Sequence, residues 1–410
     1  MSEKGVPPVT IEDVKVILTA PNGIRLVVVK VLTSEPGLYG LGCATFTQRP
    51  LAVASAVENY LKPFIIGRDV DRIEDIFQAA YVSSYWREGP VLNNALSGID
   101  EALWDIKGKR AGMPVYQLLG GKCREAVPVY VHASGETKEE VADRAREYME
   151  EGYRYVRCQM AIPGLTTYGS RGGEVVEALD PNQKRTFEPT PYVRRIPDLF
   201  EYLRMELGED IELLHDVHER IPPIQAVWLA KALEPYRLFF LEDMFAPEDI
   251  EYFRMVREQT ATPIAMGELF VNHTQYEPLI RDRLIDFIRV HISDIGGFTM
   301  ARKLAAFCEF MGVRTAWHGP GDVSPVGHAA NMHLDLAIPN FGIQELSLFK
   351  DETREVFPGC PEVHDGAMWP NDEPGWGMDI DEELAAEYPF PKGSAAWPEI
   401  RRIDGTVIKP

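Results

Sequence analysis

From Val127 onward the chain alternates short apolar runs with longer helical patterns, and nothing else in it constrains the fold as tightly. The runs are VPVYVHA, YRYVRCQ, IELLHDV, LFFLED, PIAMGE, DFIRVHI, VRTAWH and FGIQE. Between them lie stretches such as EEVADRAREYMEEG, IQAVWLAKALEPY and TMARKLAAFCEFMG, which have the texture of helices. Strands joined by helical crossovers pair in parallel, and eight of them in about 220 residues suit a closed barrel. An open doubly wound sheet is the alternative, but no GxGxxG follows the first run, so the barrel is preferred.

The preceding segment reads differently. Residues from Thr10 to Ala44 look like strands and turns, and NNALSGIDEALWDIKGKRAG carries Leu96, Ile99, Leu103 and Ile106 at helical spacing. Strands followed by helices indicate a compact α+β domain. The expected organisation is therefore an α+β domain over residues 1–125, a barrel over 126–348, and a Pro-, Gly- and Trp-containing segment over 349–410 that packs back on the first domain. One connection stands out. The stretch between Gln159 and Thr190 has little periodicity, and loops this long are usually functional when ordered. It follows a barrel strand, so it belongs at the face where barrels keep their chemistry.

Charge narrows the partners. The balance is 42 − 63 = −21 with no basic run, which argues against nucleic acid. No leading signal segment and no membrane-length apolar run is visible, so a cytoplasmic protein is expected. Five cysteines without CxxC spacing read as reduced thiols.

Three of the runs end in acids. The intervals 242 − 216 and 268 − 242 are both 26, one strand–helix–strand step each, which places Asp216, Glu242 and Glu268 together at one rim. Three clustered carboxylates repel one another and call for a bound cation, and an all-oxygen ligand set favours Mg²⁺. For any one of these acids alone, a solvated side chain or a helix cap is the plainer reading.

Longer stretches carry a resemblance. IGRDVDRIEDIFQ, YWREGPV, ALWDIKGKRAGMPVYQLLGG, IPGLTTYG, LLHDVHER, TPIAMGELF, WHGPGDVSP, NFGIQE and EPGWGMDIDEELAAEYPF are similar to the mannonate dehydratase subgroup of the enolase superfamily, over nearly the whole chain. The resemblance implies an N-terminal α+β capping domain on a modified TIM barrel of (β/α)7β form, a homo-oligomer, and one Mg²⁺ on Asp216, Glu242 and Glu268. It also implies proton abstraction beside a substrate carboxylate. Superfamily sites usually employ a Lys or His base with Mg²⁺. Here the second strand reads Arg157-Cys158-Gln159, and the sixth has no lysine either. The resemblance assigns the base instead to Tyr168 beside Arg157, whose charge favours phenolate. Taken alone, Tyr168 would pass for a surface-loop tyrosine.

His218 lies two residues past Asp216, which in a strand puts both side chains on one face, where it can protonate a departing hydroxide. A structural histidine bonded to a carboxylate is the alternative. The resemblance adds His132, Glu268, Arg289, His318, Asp322 and Glu345 as substrate-binding residues, with Arg289 as a fork for an anionic group.

These readings imply a lyase, an acid-sugar hydro-lyase converting D-mannonate or D-gluconate to 2-keto-3-deoxy-gluconate. Three departures bear on the substrate. APNGIRLVVVK puts Arg25 near the place of a substrate-contacting asparagine and displaces Asn22, the chain ends in DGTVIKP without a tryptophan, and the loop around Tyr168 is one residue shorter. Two other readings stay open: racemisation, which needs a base on each face of the carbon, and a member with little or no dehydratase activity that takes another acid sugar or serves as a ligand-binding or regulatory protein.

Overall fold

The structure, a computed structural model, describes residues 8–161, 185–393 and 400–409. Among them, eight parallel strands form the barrel: Val127–Gly135, Tyr155–Met160, Glu212–Asp216, Phe240–Glu242, Ile264–Met266, Phe287–Ile288, Arg314–Thr315 and Gln344–Glu345. All eight coincide with the apolar runs named above. The last strand pairs with the first, Glu345 opposite Tyr130. Between the seventh and eighth strands the ring closes through Gly342 N–H, which donates to Thr315 O at 2.8 Å, and Thr315 N–H, which donates to Asn340 O at 3.1 Å. A helix follows each of the first seven strands, from Lys138–Glu150 to Pro325–Ala337. This is the (β/α)7β barrel.

Local chemistry starts these helices. The Thr137 hydroxyl accepts from Glu140 N–H at 3.2 Å, with Glu139 and Glu140 in the first turn. Asn272 and Gln275 form a reciprocal capping box ahead of His273–Arg281. Such caps satisfy backbone N–H groups that a helix leaves unbonded, each contributing about 1 kcal/mol. Apolar faces then seat the helices on the strands. In Pro189–Leu207 these are Ile196, Leu199, Phe200 and Leu203.

Inside the ring, Tyr130, Leu214, Phe240, Ala265, Phe287, Ala316 and Ile343 pack together as one buried cluster, with Tyr155 against it. They make a solid floor, as small barrels require.

The preceding domain has a three-stranded antiparallel sheet, Ile11–Thr19, Leu26–Thr33 and Tyr39–Cys43, covered by the long helix Pro90–Ala111. Contact is closest where side chains are absent: a Cβ on Gly42 would stand 2.1 Å from Gly98 O. The same helix ties this domain to the barrel. Asp100 Oδ2 accepts from Thr299 N–H at 2.7 Å, and Asn93 Nδ2 donates to Asp294 O at 2.6 Å.

Beyond the eighth strand, Glu362–His364 and Ala367–Trp369 form a hairpin that extends the first barrel strand. The tail then crosses the N-terminal sheet. Trp376 N–H donates to Asp105 Oδ1 at 2.9 Å and its indole to Leu41 O at 3.0 Å. Arg25, 5% exposed, donates to Pro391 O at 3.1 Å and Gly393 O at 3.3 Å, so its guanidinium is spent holding the tail. Ile400–Arg401 pairs with Arg185–Thr186 and with Val407–Ile408, and Lys409 reaches Glu248 at 2.8 Å. Among the described residues no helix is long and apolar enough to cross a membrane.

Candidate active site

The polar centre stands directly on the apolar floor. Side chains alternate across a strand, so the residue two positions beyond each floor residue returns to the same face. Moving two positions from Tyr130, Tyr155, Leu214, Phe240, Ala265, Phe287, Ala316 and Ile343 gives His132, Arg157, Asp216, Glu242, Gly267, Arg289, His318 and Glu345. One pleat step turns the barrel interior from hydrocarbon to charge.

The charges interlock. Arg157, 4% exposed, places Nη1 3.2 Å from Asp216 Oδ2, 3.4 Å from Glu242 Oε1 and 3.5 Å from Glu345 Oε1. Arg289, fully enclosed, donates to Tyr130 Oη at 3.0 and 3.1 Å and to Glu268 Oε2 at 2.9 Å. Its Nη2 also lies 3.0 Å from Glu242 Oε1 and against Glu345. His132 Nε2 stands 3.0 Å from Glu345 Oε1, and Gly319 N–H donates to Glu345 Oε2 at 3.0 Å. Around Glu268 gather His218 Nε2 at 3.2 Å and His318 Nε2 at 3.4 Å.

Burial and neighbours set the ionisation. Burial acts to lower the Arg157 pKa, but Glu242, Asp216 and Glu345 outweigh it and raise it, so the cation is permanent. Burial pushes Glu242 and Asp243 well above the carboxylate range, with Asp216 adding to both. Glu345 goes the other way, because Arg289 and His132 overcome burial and hold it well below that range. Burial drives His318 down to about 3 although Glu268 and Glu345 oppose it. Burial likewise lifts Asp322 to about 6, with His291 opposing.

Five acids (Asp216, Glu242, Asp243, Glu268 and Glu345) thus face two guanidiniums, too few cations for all five to ionise together, and Glu242 and Asp243 are the two that burial keeps protonated. Oxygens of Asp216, Glu242 and Asp243 lie within 4.8 Å of one another. Glu242 Oε2 and Asp243 Oδ2 are buried without a hydrogen-bond partner among the described residues. A hard divalent cation fits such a set: the donors are all oxygen, its charge would let the raised acids ionise, and the orphaned atoms are free to ligate.

Three expectations change. Equal spacing does not mean equal height: Asp216 pairs with Glu242, but Glu242 pairs with Ala265, and Glu268 comes three residues later, beyond Gly267 at φ 149°. Glu268 is accordingly engaged with Arg289, His218 and His318, outside the tight acid group. His218 does not share Asp216's face by alternation either. The strand has ended, and His218 sits at φ 56° with its N–H donating to Asp216 Oδ1 at 2.8 Å. Arg289, expected as a fork for an anionic group, is enclosed and directs that fork at Tyr130 and three acids.

His132, Arg157, His218, His318 and Glu345 are brought into this one network, while Tyr168 lies outside the described residues. Asp243, Tyr130 and His291 were not anticipated. Alternation assigns Asp243 to the face opposite Glu242, but a left-handed φ of 43° brings its carboxylate into the acid group.

A capped parallel barrel whose strand ends carry two buried arginines and a close group of acids able to hold a hard cation defines a class of barrel protein with a carboxylate metal site at its mouth. Comparison with known families narrows it. Residues 140–384 match the enolase C-terminal domain-like family, and residues 6–120 match the N-terminal domain of the mandelate racemase / muconate lactonizing enzyme family. A D-galactonate dehydratase family member, RspA, from Pantoea ananatis is 58% identical, covering 98% of this chain and 99% of its own. Another D-galactonate dehydratase family member, from Enterocloster bolteae, is 53% identical over the same shares. A crystal structure of an enolase from Pantoea ananatis with bound D-gluconate and Mg superposes with a TM-score of 0.93 at 57% identity, covering 98% of this chain and 100% of that one. The chain belongs to the enolase superfamily, and within it to the D-galactonate dehydratase family.

Proposed function

We propose that the chain is a Mg²⁺-dependent acid-sugar hydro-lyase that removes the C2 proton and the C3 hydroxyl of D-mannonate or D-gluconate, giving 2-keto-3-deoxy-gluconate and water. The observation that carries it is the buried acid group with orphaned oxygens, set beside a permanent Arg157 cation. The solved relative that holds D-gluconate and Mg supports the ligand pair.

Asp216 and Glu242 would hold the ion, with Glu268 as the third ligand that the family resemblance implies and Asp243 as the acid that the geometry adds. Bound Mg²⁺ supplies positive charge for the substrate carboxylate and for the charge that grows on it as C2 loses its proton. The remaining steps fall to this chain's residues. Tyr168 takes the C2 proton, with Arg157 favouring its phenolate form. His218 protonates the departing C3 hydroxyl, which leaves as water. His132, His318, Asp322 and Glu345 orient the polyol, and Arg289 neutralises the acids beneath. The reading includes a cytoplasmic homo-oligomer acting on small acid sugars, not on nucleic acid or membranes.

The test is a panel of hexonates assayed for 2-keto acid with Mg²⁺ and with EDTA. Turnover is expected only with metal, and it is expected to be lost in Tyr168→Phe and His218→Asn. Absence of product from folded, metal-loaded protein with every hexonate overturns the reading.

A further inference from the structure

We infer that Lys409 is a positioning residue for His218: it pins the adjoining Glu219 from the ribbon of Ile400–Arg401 and Val407–Ile408, so that the ribbon holds the turn on which His218 stands. The consequence for turnover rests on His218 acting as the acid of the proposed reaction, but the restraint of the turn does not.

The turn begins where the third barrel strand ends, at Asp216. His218 and Glu219 follow at φ 56° and 49°, two successive residues with side chains in the left-handed region. That conformation is strained for L-residues and persists where surrounding contacts over-determine it. The inner contacts are hydrogen bonds from the backbone to the acid group. Val217 N–H donates to Glu242 O at 3.0 Å, His218 N–H to Asp216 Oδ1 at 2.8 Å and Glu219 N–H to Asp243 O at 2.7 Å.

The outer contact is made by the Glu219 side chain. Its Oε2 lies 3.5 Å from Lys409 Nζ, and the same ammonium donates to Glu248 Oε1 at 2.8 Å. The Glu219 side chain is 11% exposed and that of Glu248 68%, so Glu219 has the less water to take the place of the cation. Lys409 therefore bridges two like charges. Removing its charge deletes an attraction and also leaves Glu219 exposed to the field of the Glu248 carboxylate, which acts against it.

A lysine on a loose segment would lose most of this gain to entropy. Lys409 is not so placed. Ile400, 3% exposed, packs into the core, and Ile400 and Arg401 pair in parallel with Arg185 and Thr186. Phe187 N–H donates to Arg401 O at 2.9 Å, and Ile403 N–H to Glu188 Oε1 at 2.9 Å. Val407 and Ile408 then return antiparallel to this strand, and Lys409 follows directly. The ribbon thus joins the segment entering helix Pro189–Leu207 to the turn that carries His218.

The test is hydrogen–deuterium exchange, read by mass spectrometry on full-length protein saturated with Mg²⁺, in Lys409→Arg, Lys409→Met and Lys409→Glu. Exchange of the amides at 217–219 should rise about threefold in Lys409→Met, the scale of a part-exposed ion pair, and further in Lys409→Glu. Lys409→Arg should match the unsubstituted protein, and melting temperatures should stay together. With a hexonate that is turned over, kcat should fall about threefold in Lys409→Met while KM holds, and Lys409→Arg should restore it. Unchanged exchange at the turn in Lys409→Met overturns the inference. So does loosening in Lys409→Arg equal to that in Lys409→Met, which would mark a role for shape and not charge. A looser turn with kcat unchanged overturns the positioning role. Exchange needs no turnover, so a failure of the proposed dehydration would appear separately, as absence of product in the unsubstituted protein.

Discussion

Replacing Arg289 with methionine tests the electrostatics of the site at its centre. Methionine fills much of the same volume, so the change removes charge rather than packing. Deleting one partner of a buried ion pair costs about 3–5 kcal/mol. Arg289 faces Glu242, Glu268 and Glu345, which would argue for the upper end. Arg157 remains 3.4 Å from Glu242 and 3.5 Å from Glu345, however, and His218 and His318 remain beside Glu268 at 3.2 and 3.4 Å. The lower end, about 3 kcal/mol, is therefore expected, or about 150-fold in the folding equilibrium. Urea unfolding in EDTA, followed by circular dichroism, reads this directly.

Two further signatures separate the electrostatic cause from a packing defect. Without Arg289 the acids rise further in pKa, so the native state of the variant binds protons that the unfolded chain releases. Its stability should then fall as pH rises from mildly acidic to mildly basic. Glu268 and Glu345 behave oppositely in the unsubstituted protein: they are held low, and their contribution is present above the ordinary carboxylate pKa and lost on acidification. Saturating Mg²⁺ should also narrow the gap, since the less neutralised acids of the variant bind the ion more tightly, and each tenfold lower Kd adds about 1.4 kcal/mol to the variant's stabilisation. If Arg289→Met unfolded within about 0.5 kcal/mol of the unsubstituted protein in EDTA, as a neutral surface change would, the counter-charge role would be refuted.

Two other outcomes follow from the N-terminal domain. Gly42→Ala puts a methyl group 2.1 Å from Gly98 O, forcing helix and sheet apart, and should cost about 1–3 kcal/mol, read as a lowered melting temperature. Burial pushes Asp100 up to about 7 from 3.8, so the folded protein keeps a proton there and stability should decline as pH climbs between those values. Asp100→Asn retains the acceptor for Thr299 N–H and should flatten that part of the melting-temperature profile; an unchanged slope would show that Asp100 does not titrate in the folded protein.

Most of the barrel was legible because each strand is buried on both faces and therefore reads as an apolar run bounded by polar helices. The eight runs and the eight strands coincide. The acids at 216 and 242 were legible for the same reason: they mark where a run stops, and the pleat returns them to the inside. Side-chain direction stopped being legible wherever the backbone left the extended region. His218, Asp243 and Glu268 all follow a strand end, at φ 56°, φ 43° and after a glycine at φ 149°. Period-two logic has no purchase there, because a left-handed residue redirects its side chain irrespective of parity.

Arg25 shows a different limit. Its place in the sequence suggested a substrate contact, yet its guanidinium caps tail carbonyls 366 and 368 residues away. The unequal heights of three equally spaced acids were hidden in the same way, because register depends on which residues pair across strands and not on how many lie between them.

The sequence by itself determined the sequence of strands and helices, the barrel they close into, and the presence of acids and arginines at the strand ends. Those follow from local periodicity and from the need to bury apolar faces. Only the tertiary structure decided which acids crowd together, which of them each arginine meets, and which histidines gather around Glu268. Such choices depend on ångström-scale approaches between residues distant in the chain, and no local pattern encodes them.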